Sequence, residues 1–482
     1  MMTDPHIDAD HARPTFIPPD DELAALLADW LPAQRWFAGR TALTGITITT
    51  RSRLLETDVA RFEHVIVRIP AGSGLPSRYY QLWLALTTEL PERLANALVG
   101  IVTDPAGTTV QVSDALHSHI LTGALLSALA EGRSLGDVAA HAVSPELIDA
   151  SAAGLVISGE QSNTSIVFGD STILKLFRRL EPGPNPDAEV HLALSGAGTS
   201  HVAALLGELV GELEGVPTTL GVLTQFFANS ADGWMTATAS VRDLMAEGDL
   251  RADEVGGDFA PEAERLGKAV AEIHRDLAAA LGTRQIVGAE VGEMLTAMAA
   301  AAAATAARVP ELQALAPSIA ATFAAVSQRT ESVTLQRIHG DLHLGQTLRT
   351  LTGWAIIDFE GEPSKTLEYR RALHSPMRDV AGMVRSFDYA GHHLLPGTSP
   401  DSQHLFRSAE WTSRNRGAFL AGYTKASGTD PAADADMLRV FELDKAVYEV
   451  GYEFDHRPGW LGIPLQAVEK LLAPPRRQEG TS

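Results

Sequence analysis

The sequence predicts an α+β protein with two lobes, in which a sheet-rich N-terminal half precedes a helical C-terminal half. Alternating apolar and polar residues, typical of half-buried strands, occur at 43–50, 62–69 and 79–86. Two further β-rich runs, 165–168 and 172–177, flank a Gly169–Asp170 turn, which is typical of a hairpin. Beyond Trp234, helical spacing with few breakers dominates, at 260–282, 288–307, 311–328, 378–390, 405–426 and 432–454.

These patterns divide the chain into three parts. Residues 1–95 are predicted to form an N-terminal α+β cap, 96–228 an intermediate segment with a sheet-rich lobe, and 229–482 a helical lobe. Within the cap, residues 1 to about 20 are predicted to be a loose arm, and a short helix begins at Asp20. The aromatic segment QRWFAGR (34–40) is interpreted as part of a helical core rather than as a gate.

The composition limits the class of protein. Of 482 residues, 45% are hydrophobic, which is ordinary for a globular chain and excludes wholesale disorder. The length predicts two or more hydrophobic cores. No cysteine is present, so disulfides, thiolate metal sites and a cysteine nucleophile are excluded.

The acidic charge bears on partners and location. With a formal net charge of −22, neither nucleic acid nor an anionic membrane is an expected partner. The first ten residues, MMTDPHIDAD, are the reverse of a secretory leader, and no run of about 20 apolar residues occurs. We therefore expect a cytoplasmic protein, present as a monomer or weak dimer.

Two motifs in the C-terminal half carry the chemistry. IHGDLHLGQ (338–346) is a strand followed by a loop that holds Asp341, and WAIIDFEGEP (354–363) is a strand that ends on Asp358. Phosphoryl transfer from ATP needs one carboxylate to accept the proton of the attacking hydroxyl, and further oxygen ligands to hold Mg²⁺. The pattern predicts Asp341 as the base, with Asp358 and Gln346 as the metal ligands.

A zinc site is the rival interpretation of the first motif. His339 and His343 are four residues apart, a spacing that suits zinc ligands on a helix. Gly340 and the preceding strand favour a loop instead, and no H-E-x-x-H signature is present. We expect His339 to brace the loop backbone, and His343 either to do the same or to reach the substrate.

Lys175 is the candidate phosphate ligand of the sheet-rich lobe. It lies within a strand, where an ammonium that pairs with the ATP phosphates and with a helical carboxylate is expected in a kinase. Glu189 is the candidate partner, and Glu160 is the alternative. The loop before this hairpin is polar and lacks a GxGxxG or Walker motif. It either covers the phosphates, through Ser162, Asn163 and Thr164, or is an ordinary approach to the hairpin.

These segments resemble the kinase superfamily of aminoglycoside phosphotransferases and choline kinases, and more closely the actinobacterial maltokinases. The resemblance runs nearly end to end, through QRWFAGR (34–40), EQSNTSIVF (160–168), ILKLFRR (173–179), NPDAEV (185–190), WMTATASVRDLMAEGDL (234–250), HGDLHLGQTLRT (339–350), IIDFEGEP (356–363), SPMRDVAGMVRS (375–386) and DKAVYEVGYEFDHRPGWLGIPL (444–465). It implies a bilobal protein-kinase-like fold with an N-terminal cap.

The resemblance also implies roles for individual residues. Asp341 would be the catalytic Asp, Gln346 and Asp358 would bind Mg²⁺, and Lys175 would contact ATP with Glu189 paired to it. The strand GVLTQFF (221–227), which holds Gln225 and Phe227, would be the inter-lobe linker that meets adenine. Asp379 would brace the catalytic loop, although a simple helix cap is equally compatible with its place in the sequence.

Two departures from protein kinases disfavour protein as the substrate. Gln346 replaces the usual Asn, and Glu360 stands where a DFG glycine would be. No activation segment that ends in A-P-E is present.

Carboxylates and aromatic residues near the C-terminus suggest a sugar site. These materials recognise hydroxyl groups and stack on a sugar face, and the candidates are Glu449, Tyr452, Glu453 and Trp460. Tyr452 and Tyr448 are at helical spacing and are alternatively core residues. Glu360 and Glu362 are predicted to share one cleft with Asp341, Asp358 and the two C-terminal glutamates.

Three functions remain open at this point. The resemblance implies ATP-dependent phosphorylation of maltose to maltose 1-phosphate, which would feed glycogen or α-glucan synthesis. Related kinases that accept glucosamine provide the second hypothesis, since acidic residues suit an ammonium as well as hydroxyls. The third is a partner subunit of trehalose synthase, which the intact set of Lys175, Asp341, Gln346 and Asp358 disfavours.

Overall fold

The computed structural model describes residues 13–37, 43, 45–72, 77–157, 162–247, 250–327, 329, 331–395 and 402–473. The chain forms two compact units. The first contains the residues up to Glu189 together with 204–228, and the second contains 190–203 together with the residues from Asn229 onwards.

The first unit is built mainly of strands. Its helices are α1 (Asp20–Trp30), α2 (His119–Glu131) and the beginning of α3 (Pro186–Ala197), which continues into the second unit. Its strands are β1 (Thr47–Glu56), β2 (Ala60–Ile69), β3 (Arg78–Thr87), β4 (Leu98–Thr103), β5 (Thr109–Asp114), β6 (Ala139–Ala142), β7 (Gly154–Ile157), β8 (Asn163–Phe168), β9 (Thr172–Phe177), β10 (Arg179–Leu180), β11 (Leu205–Leu213) and β12 (Val216–Gln225).

The central strands β2 and β3 of the first sheet are buried on both faces. The strand order of this sheet is β1-β2-β3-β5-β4, and β10 pairs with β3. Alternate residues of a strand point to opposite faces, so Leu82 and Leu84 pack towards Leu27 of α1 while Trp83 and Ala85 face the other core. Burial on both sides explains why β3 reads as a nearly continuous apolar run.

The second sheet shares that other core with the first. Its order is β6-β11-β12-β9-β8-β7, with every pairing antiparallel. The residues between β8 and β9 include Gly169, whose φ of 59° suits the turn of a hairpin. The hairpin predicted from Gly169–Asp170 is therefore confirmed.

A buried polar contact joins the two sheets of this unit. The Gln81 side chain of β3 donates from Nε2 to the carbonyls of Phe177 (2.7 Å) and Leu220 (2.6 Å), which belong to β9 and β12. His64 of β2 contacts its Oε1 at 3.0 Å. Because buried carbonyls need donors, Gln81 fixes the position of one sheet against the other.

The second unit is mainly helical. Its helices are α4 (Gly233–Ala246), α5 (Ala260–Leu281), α6 (Ala289–Arg308), α7 (Pro310–Gln313), α8 (Ala316–Val326), α9 (Leu367–Arg371), α10 (Met377–His392), α11 (Ser402–Ser427), α12 (Ala435–His456) and α13 (Gly462–Leu472). Its strands are β13 (Ala231–Asp232), β14 (Thr283–Ile286), β15 (Val333–Gln336), β16 (Thr347–Arg349) and β17 (Trp354–Ile356).

Helix α10 lies between two cores of this unit. Its Phe387 packs with α5 and α11, while its Ala381 packs with α6 and α12. Helices α5 and α11 approach closely because both have glycine at the crossing. A Cβ on Gly267 would lie 2.0 Å from the Phe419 carbonyl oxygen, and one on Gly422 would lie 1.9 Å from that of Glu264.

The predicted α+β class, with sheets first and helices last, is confirmed. The single helix predicted at 311–328 is wrong: it is split into α7 and α8, because Pro317 lies in the first turn of α8, where its missing N–H is tolerated. The helical interpretation of the QRWFAGR segment is also wrong for its described residues, although Phe37 is buried against Tyr80 with ring centroids 4.9 Å apart. Residues 1–12 of the predicted loose arm lie outside the described residues.

The length and the apolar composition of a helix decide whether it can cross a membrane. Among the described residues, none of the helices combines the length and the apolar composition that crossing a bilayer requires.

Candidate active site

The loop after β15 is held by a buried carboxylate from α10. Asp379 accepts hydrogen bonds from the backbone N–H of His339 (2.7 Å) and of Gly340 (2.9 Å), and it also contacts His274 Nε2 at 3.0 Å. Burial raises the pKa of Asp379, but the hydrogen bond and charge of His274, the charge of His339 and the N–H of Gly340 together outweigh burial, so the pKa lies below its usual range. Asp379 therefore braces the loop, as the resemblance implied, rather than capping a helix.

His339 is engaged on both ring nitrogens. Nδ1 accepts the backbone N–H of Asp341 at 3.2 Å, and Nε2 lies 2.9 Å from the carbonyl oxygen of Ile357. A ring whose nitrogens both bond to backbone has no lone pair left for zinc. His343 Nδ1 accepts the N–H of Gly345 and caps the short helix that follows. The bracing role of His339 is confirmed, and the zinc interpretation does not fit this arrangement.

Asp341 is paired with a lysine from α12. Lys445 Nζ lies 3.0 Å from Asp341 Oδ1 and 3.8 Å from Glu362 Oε2. Burial raises the pKa of Asp341, but the positive charges of Lys445 and the neighbouring histidines outweigh burial and lower it. The carboxyl group is therefore held in the ionised form that a general base needs.

The pKa of Glu362 is shifted in the opposite direction to that of Asp341. Burial and the nearby charge of Asp341 raise the pKa of Glu362, because two carboxylates close together disfavour a second negative charge. Tyr448 donates a hydrogen bond of 2.5 Å to Glu362 Oε1, and its ring centroid lies 5.1 Å from Lys445 Nζ. These four side chains, Asp341, Glu362, Lys445 and Tyr448, are called the acceptor cluster below.

The acceptor cluster faces a cavity of about 350 Å³ within the second unit. This volume lies at the lower end of the roughly 300–1,000 Å³ of small-molecule pockets. The wall includes alanines of α6, aromatic residues, and charges of both signs. The charged residues among its described lining are Asp341, Glu362, Asp444, Lys365, Arg378 and Lys445.

Gln346 and Asp358 lie side by side. Gln346 Nε2 contacts Asp358 Oδ2 at 3.0 Å, and Asp358 adopts a left-handed backbone with φ of 65°, which is uncommon for a residue other than glycine. Such strain is often found at functional sites. A carboxylate and an amide supply the oxygen ligands that Mg²⁺ prefers, and Mg²⁺ takes its other ligands from water and phosphate. The residues present therefore fit the ion.

The predicted sugar residues lie along one stretch of α12 and just after it. Glu449 is bound by Arg385, whose Nε and Nη2 lie 2.9 and 2.8 Å from Oε2. Glu453 accepts a hydrogen bond from Tyr389 at 3.1 Å, and the Tyr389 ring stacks on Trp460 with centroids 6.3 Å apart. Tyr389 thus brings two of the predicted residues, Glu453 and Trp460, together.

Tyr452 belongs to the same group, because Arg457 pairs with Glu453 and its guanidinium lies 5.5 Å from the Tyr452 ring centroid and 5.2 Å from that of Trp460. Tyr452 is 40% exposed and stacks on His456. The Glu360 backbone carbonyl accepts a hydrogen bond from Arg370 at 3.0 Å. None of the predicted C-terminal sugar residues is in the described lining of the 350 Å³ cavity, where Tyr448 and Lys445 are found instead. Their contact with a sugar stays a prediction.

In the first unit, Lys175 contacts a carboxylate of α3. Its Nζ lies 3.2 Å from Asp187 Oδ2, two residues before the predicted partner Glu189. Pairing with Glu189 stays a prediction, and the alternative partner Glu160 lies outside the described residues. The sequence predicts a carboxylate near the N-terminus of α3, but it does not show whether Asp187 or Glu189 contacts Lys175.

The predicted nucleotide residues occupy different settings. Thr164 is buried in β8 and its Oγ1 accepts a hydrogen bond from Arg178 at 2.8 Å. Asn163 is buried on the same strand, whereas Ser162 just before it is exposed. Gln225 is exposed at the end of β12 and Phe227 is half-buried beyond it. Contact of any of these residues with a nucleotide stays a prediction.

Sequence reasoning missed Lys445 as the neighbour of Asp341. The signal was available: Lys445, Glu449 and Glu453 are spaced four residues apart and so lie on one face of α12. It was not decisive, because a charged stripe on a helix is more often a solvated surface. Arg385, which lies within the motif SPMRDVAGMVRS, was missed for the same reason, because a charged residue on a helix is more often solvated than buried.

Comparisons with known proteins bear on the family and the fold of this chain. Residues 30–117 match the maltokinase N-terminal cap domain. A glucosamine kinase of Streptacidiphilus jiangxiensis is 28% identical over 66% of this chain and 73% of its own length. A glucosamine kinase of Mycolicibacterium smegmatis is also 28% identical, over 68% of this chain and 80% of its own.

One solved structure shows the fold along nearly the whole chain. It is a glucosamine kinase in complex with glucosamine, ADP and inorganic phosphate, with a TM-score of 0.66 at 23% identity over 95% of this chain and all of the other. The kinase-like fold with an N-terminal cap is therefore confirmed, and so is the resemblance to the kinase superfamily that includes the maltokinases.

Proposed function

We propose that this protein is an ATP- and Mg²⁺-dependent kinase that phosphorylates maltose to maltose 1-phosphate, for the synthesis of α-1,4-glucan. The comparisons support a sugar kinase of this fold. The match of residues 30–117 to the maltokinase cap is the observation that favours maltose. The nucleotide bound in the similar structure supports the use of ATP.

In the proposed reaction, Asp341 orients the anomeric hydroxyl of the sugar and accepts its proton as the oxygen attacks the γ-phosphorus of ATP, while the bond from that phosphorus to ADP breaks and ADP leaves. The ammonium of Lys445 at 3.0 Å favours the ionised form of Asp341 before the reaction. Gln346 and Asp358 would hold Mg²⁺, which offsets the charge of the ATP phosphates when bound. Lys175 is proposed to contact ATP phosphates, with Ser162, Asn163 and Thr164 covering them. Gln225 and Phe227 are proposed to meet the adenine.

Glucosamine is the second candidate acceptor. It is supported by the two relatives that are glucosamine kinases at 28% identity. To bind the ammonium of glucosamine, the site needs a carboxylate that is not already paired with another cation. A neutral sugar has no such requirement. Association with trehalose synthase, a monomeric or weakly dimeric state and a cytoplasmic location stay predictions.

The function is tested by measuring ADP release with maltose, glucose, glucosamine and an aminoglycoside as acceptors. We expect maltose to have the highest kcat/KM, with maltose 1-phosphate identified as the product by NMR. Absence of maltose turnover, with turnover of another acceptor, would reject maltose and keep the sugar kinase.

The base is tested with Asp341→Asn, which keeps the shape of the side chain and removes its proton affinity. We expect kcat to fall by about 10³-fold, because positioned general bases contribute roughly 10²–10⁴-fold. Asp21→Asn, an exposed position of α1, is the matched control. A thermal shift with Mg²⁺-ATP is expected to be retained by Asp341→Asn. Near-normal turnover by this variant would show that Asp341 is not the base.

A further inference from the structure

Lys445 is a cation that lines the cavity. In the proposed proton transfer its only role is to favour the ionised form of Asp341. It contacts Asp341 at 3.0 Å and Glu362 at 3.8 Å, so one ammonium serves two carboxylates. The Lys445 side chain is 24% exposed and is packed beside the Tyr448 ring, which leaves it little freedom to turn towards solvent. The ammonium is therefore a fixed part of the cavity wall.

The charges around the cavity are already balanced. Beyond the acceptor cluster, Arg378 pairs with Asp444 at 3.0 Å, and Lys365 lies 5.5 Å from the Tyr369 ring. The described lining thus contains three carboxylates, Asp341, Glu362 and Asp444, and three cations, Lys365, Arg378 and Lys445. A cavity in which each carboxylate has a cationic neighbour offers hydrogen bonds to hydroxyls without demanding a charged ligand.

We propose that Lys445 is a specificity residue that admits neutral sugars and excludes acceptors that carry an ammonium. This inference rests on the proposed sugar kinase activity. An amino sugar beside Asp341 would place its ammonium next to that of Lys445 and compete for the same two carboxylates. Like charges brought together in a half-buried site repel strongly, and such repulsion is a common source of specificity.

The test compares two acceptors that differ in one group. Glucose and glucosamine share a ring and differ by a hydroxyl against an ammonium at carbon 2. Their inhibition constants are measured against the best acceptor of the panel, so that neither has to be turned over. For the wild type we expect glucose to bind more tightly, and for Lys445→Met we expect the glucosamine-to-glucose affinity ratio to rise by about tenfold or more.

Charge and shape are separated by two further variants. Lys445→Arg keeps the cation, so the ratio should stay near that of the wild type. Lys445→Gln removes the charge but keeps polarity, and carries the same test as Lys445→Met if the latter does not accumulate. Lys425→Met, an exposed lysine of α11, controls for a change in net charge alone and should leave the ratio unchanged.

A titration of the acceptor gives a readout that a packing role would not move. Raising the pH through the pKa of the glucosamine amino group removes its charge, so the wild type should then bind glucosamine better relative to glucose. In Lys445→Met this pH dependence should weaken or reverse.

Each result has a definite meaning. An unchanged ratio in Lys445→Met and Lys445→Gln, with the sugar kinase activity present, would overturn the role of Lys445 and leave the proposed function intact. Absence of turnover of every sugar in the wild type would overturn the proposed function and this inference with it.

Discussion

Two buried polar networks in this protein use similar side chains for different ends. In the first unit, Gln81 and Arg178 are fully enclosed, and their partners are backbone carbonyls, a threonine and the buried Asp114, which lies 2.6 Å from Arg178. In the second unit, Asp341 and Lys445 contact each other and face a cavity of about 350 Å³.

The two networks differ in whether any of their hydrogen-bonding groups remain available to a ligand. The partners of Gln81 are strand carbonyls, so the network joins two sheets and its polar atoms are used for that purpose. Asp341 keeps an oxygen for a ligand, because among the described contacts Lys445 binds only Oδ1 of the carboxylate and the cavity adjoins this side chain. A buried charge is therefore a candidate site when it borders a cavity, and a structural contact when it does not.

The largest effect is expected in the first network. Gln81→Leu removes the donor to two strand carbonyls and the partner of His64. Each buried group left without a partner costs about 1–3 kcal/mol, so the free energy of unfolding should fall by about 3–5 kcal/mol. Denaturant unfolding followed by circular dichroism measures this loss, and the kcat of the folded fraction should not change.

Gln285→Leu is the matched control. The Gln285 side chain is exposed, and among the described contacts it bonds only to the Thr334 side chain. It should change the free energy of unfolding by less than about 0.5 kcal/mol. A loss of kcat in Gln81→Leu without a loss of stability would contradict the structural role of this network.

The second effect concerns the brace behind the acceptor cluster. Asp379→Ala frees the N–H groups of His339 and Gly340, so Asp341 loses its fixed position. Misplacement of a catalytic group by about 1 Å costs roughly 10²-fold in rate, and we expect kcat to fall by that factor with a small change in KM. Steady-state kinetics on the folded variant measure the split.

Asp379→Asn is the conservative comparison, because its amide oxygen can still accept one of the two backbone N–H groups. It should recover part of the lost kcat. Equal KM increases with unchanged kcat in both variants would show that Asp379 stabilises the fold without positioning Asp341.

The smallest effect is a pH dependence of the first network. Burial lowers the pKa of His64 to about 4, below the value of about 6.5 in an unfolded chain. The folded state thus binds fewer protons than the unfolded state in this range. Stability is fully present above pH 6.5 and decreases as the pH falls towards 4, by about 2–3 kcal/mol.

Unfolding at pH 7 and at pH 4.5 measures this slope. His64→Gln should reduce the difference between the two pH values, whereas His141→Gln, at an exposed position, should leave it unchanged. An equal slope in the wild type and in His64→Gln would mean that other groups cause the pH dependence.

Motifs made of consecutive residues were predictable. The hairpin at Gly169–Asp170 follows from local turn chemistry. The loop with Asp341 follows from a motif whose residue types and spacing suit phosphoryl transfer, and its catalytic role stays a prediction. Pro317 is also a local signal for the break between α7 and α8, although the helical spacing of 311–328 predicted one helix.

Contacts between distant segments were not predictable. Lys445 reaches Asp341 across 104 residues, and Arg385 reaches Glu449 across 64. Nothing local marks these lysine and arginine side chains, because a charge on an amphipathic helix is usually solvated. Only the packing of α12 against α10 and the loop decides which charges meet.

The sequence by itself determined the α+β class, the catalytic motif and the candidate metal ligands, because these depend on local periodicity and on chemistry within a few residues. Tertiary structure decided that Asp379 braces the loop rather than capping a helix, that both ring nitrogens of His339 are bonded to backbone, and that Lys445 stands beside Asp341. The physical reason is that burial, and the partner each charge finds there, are set by helices and strands far apart in the chain.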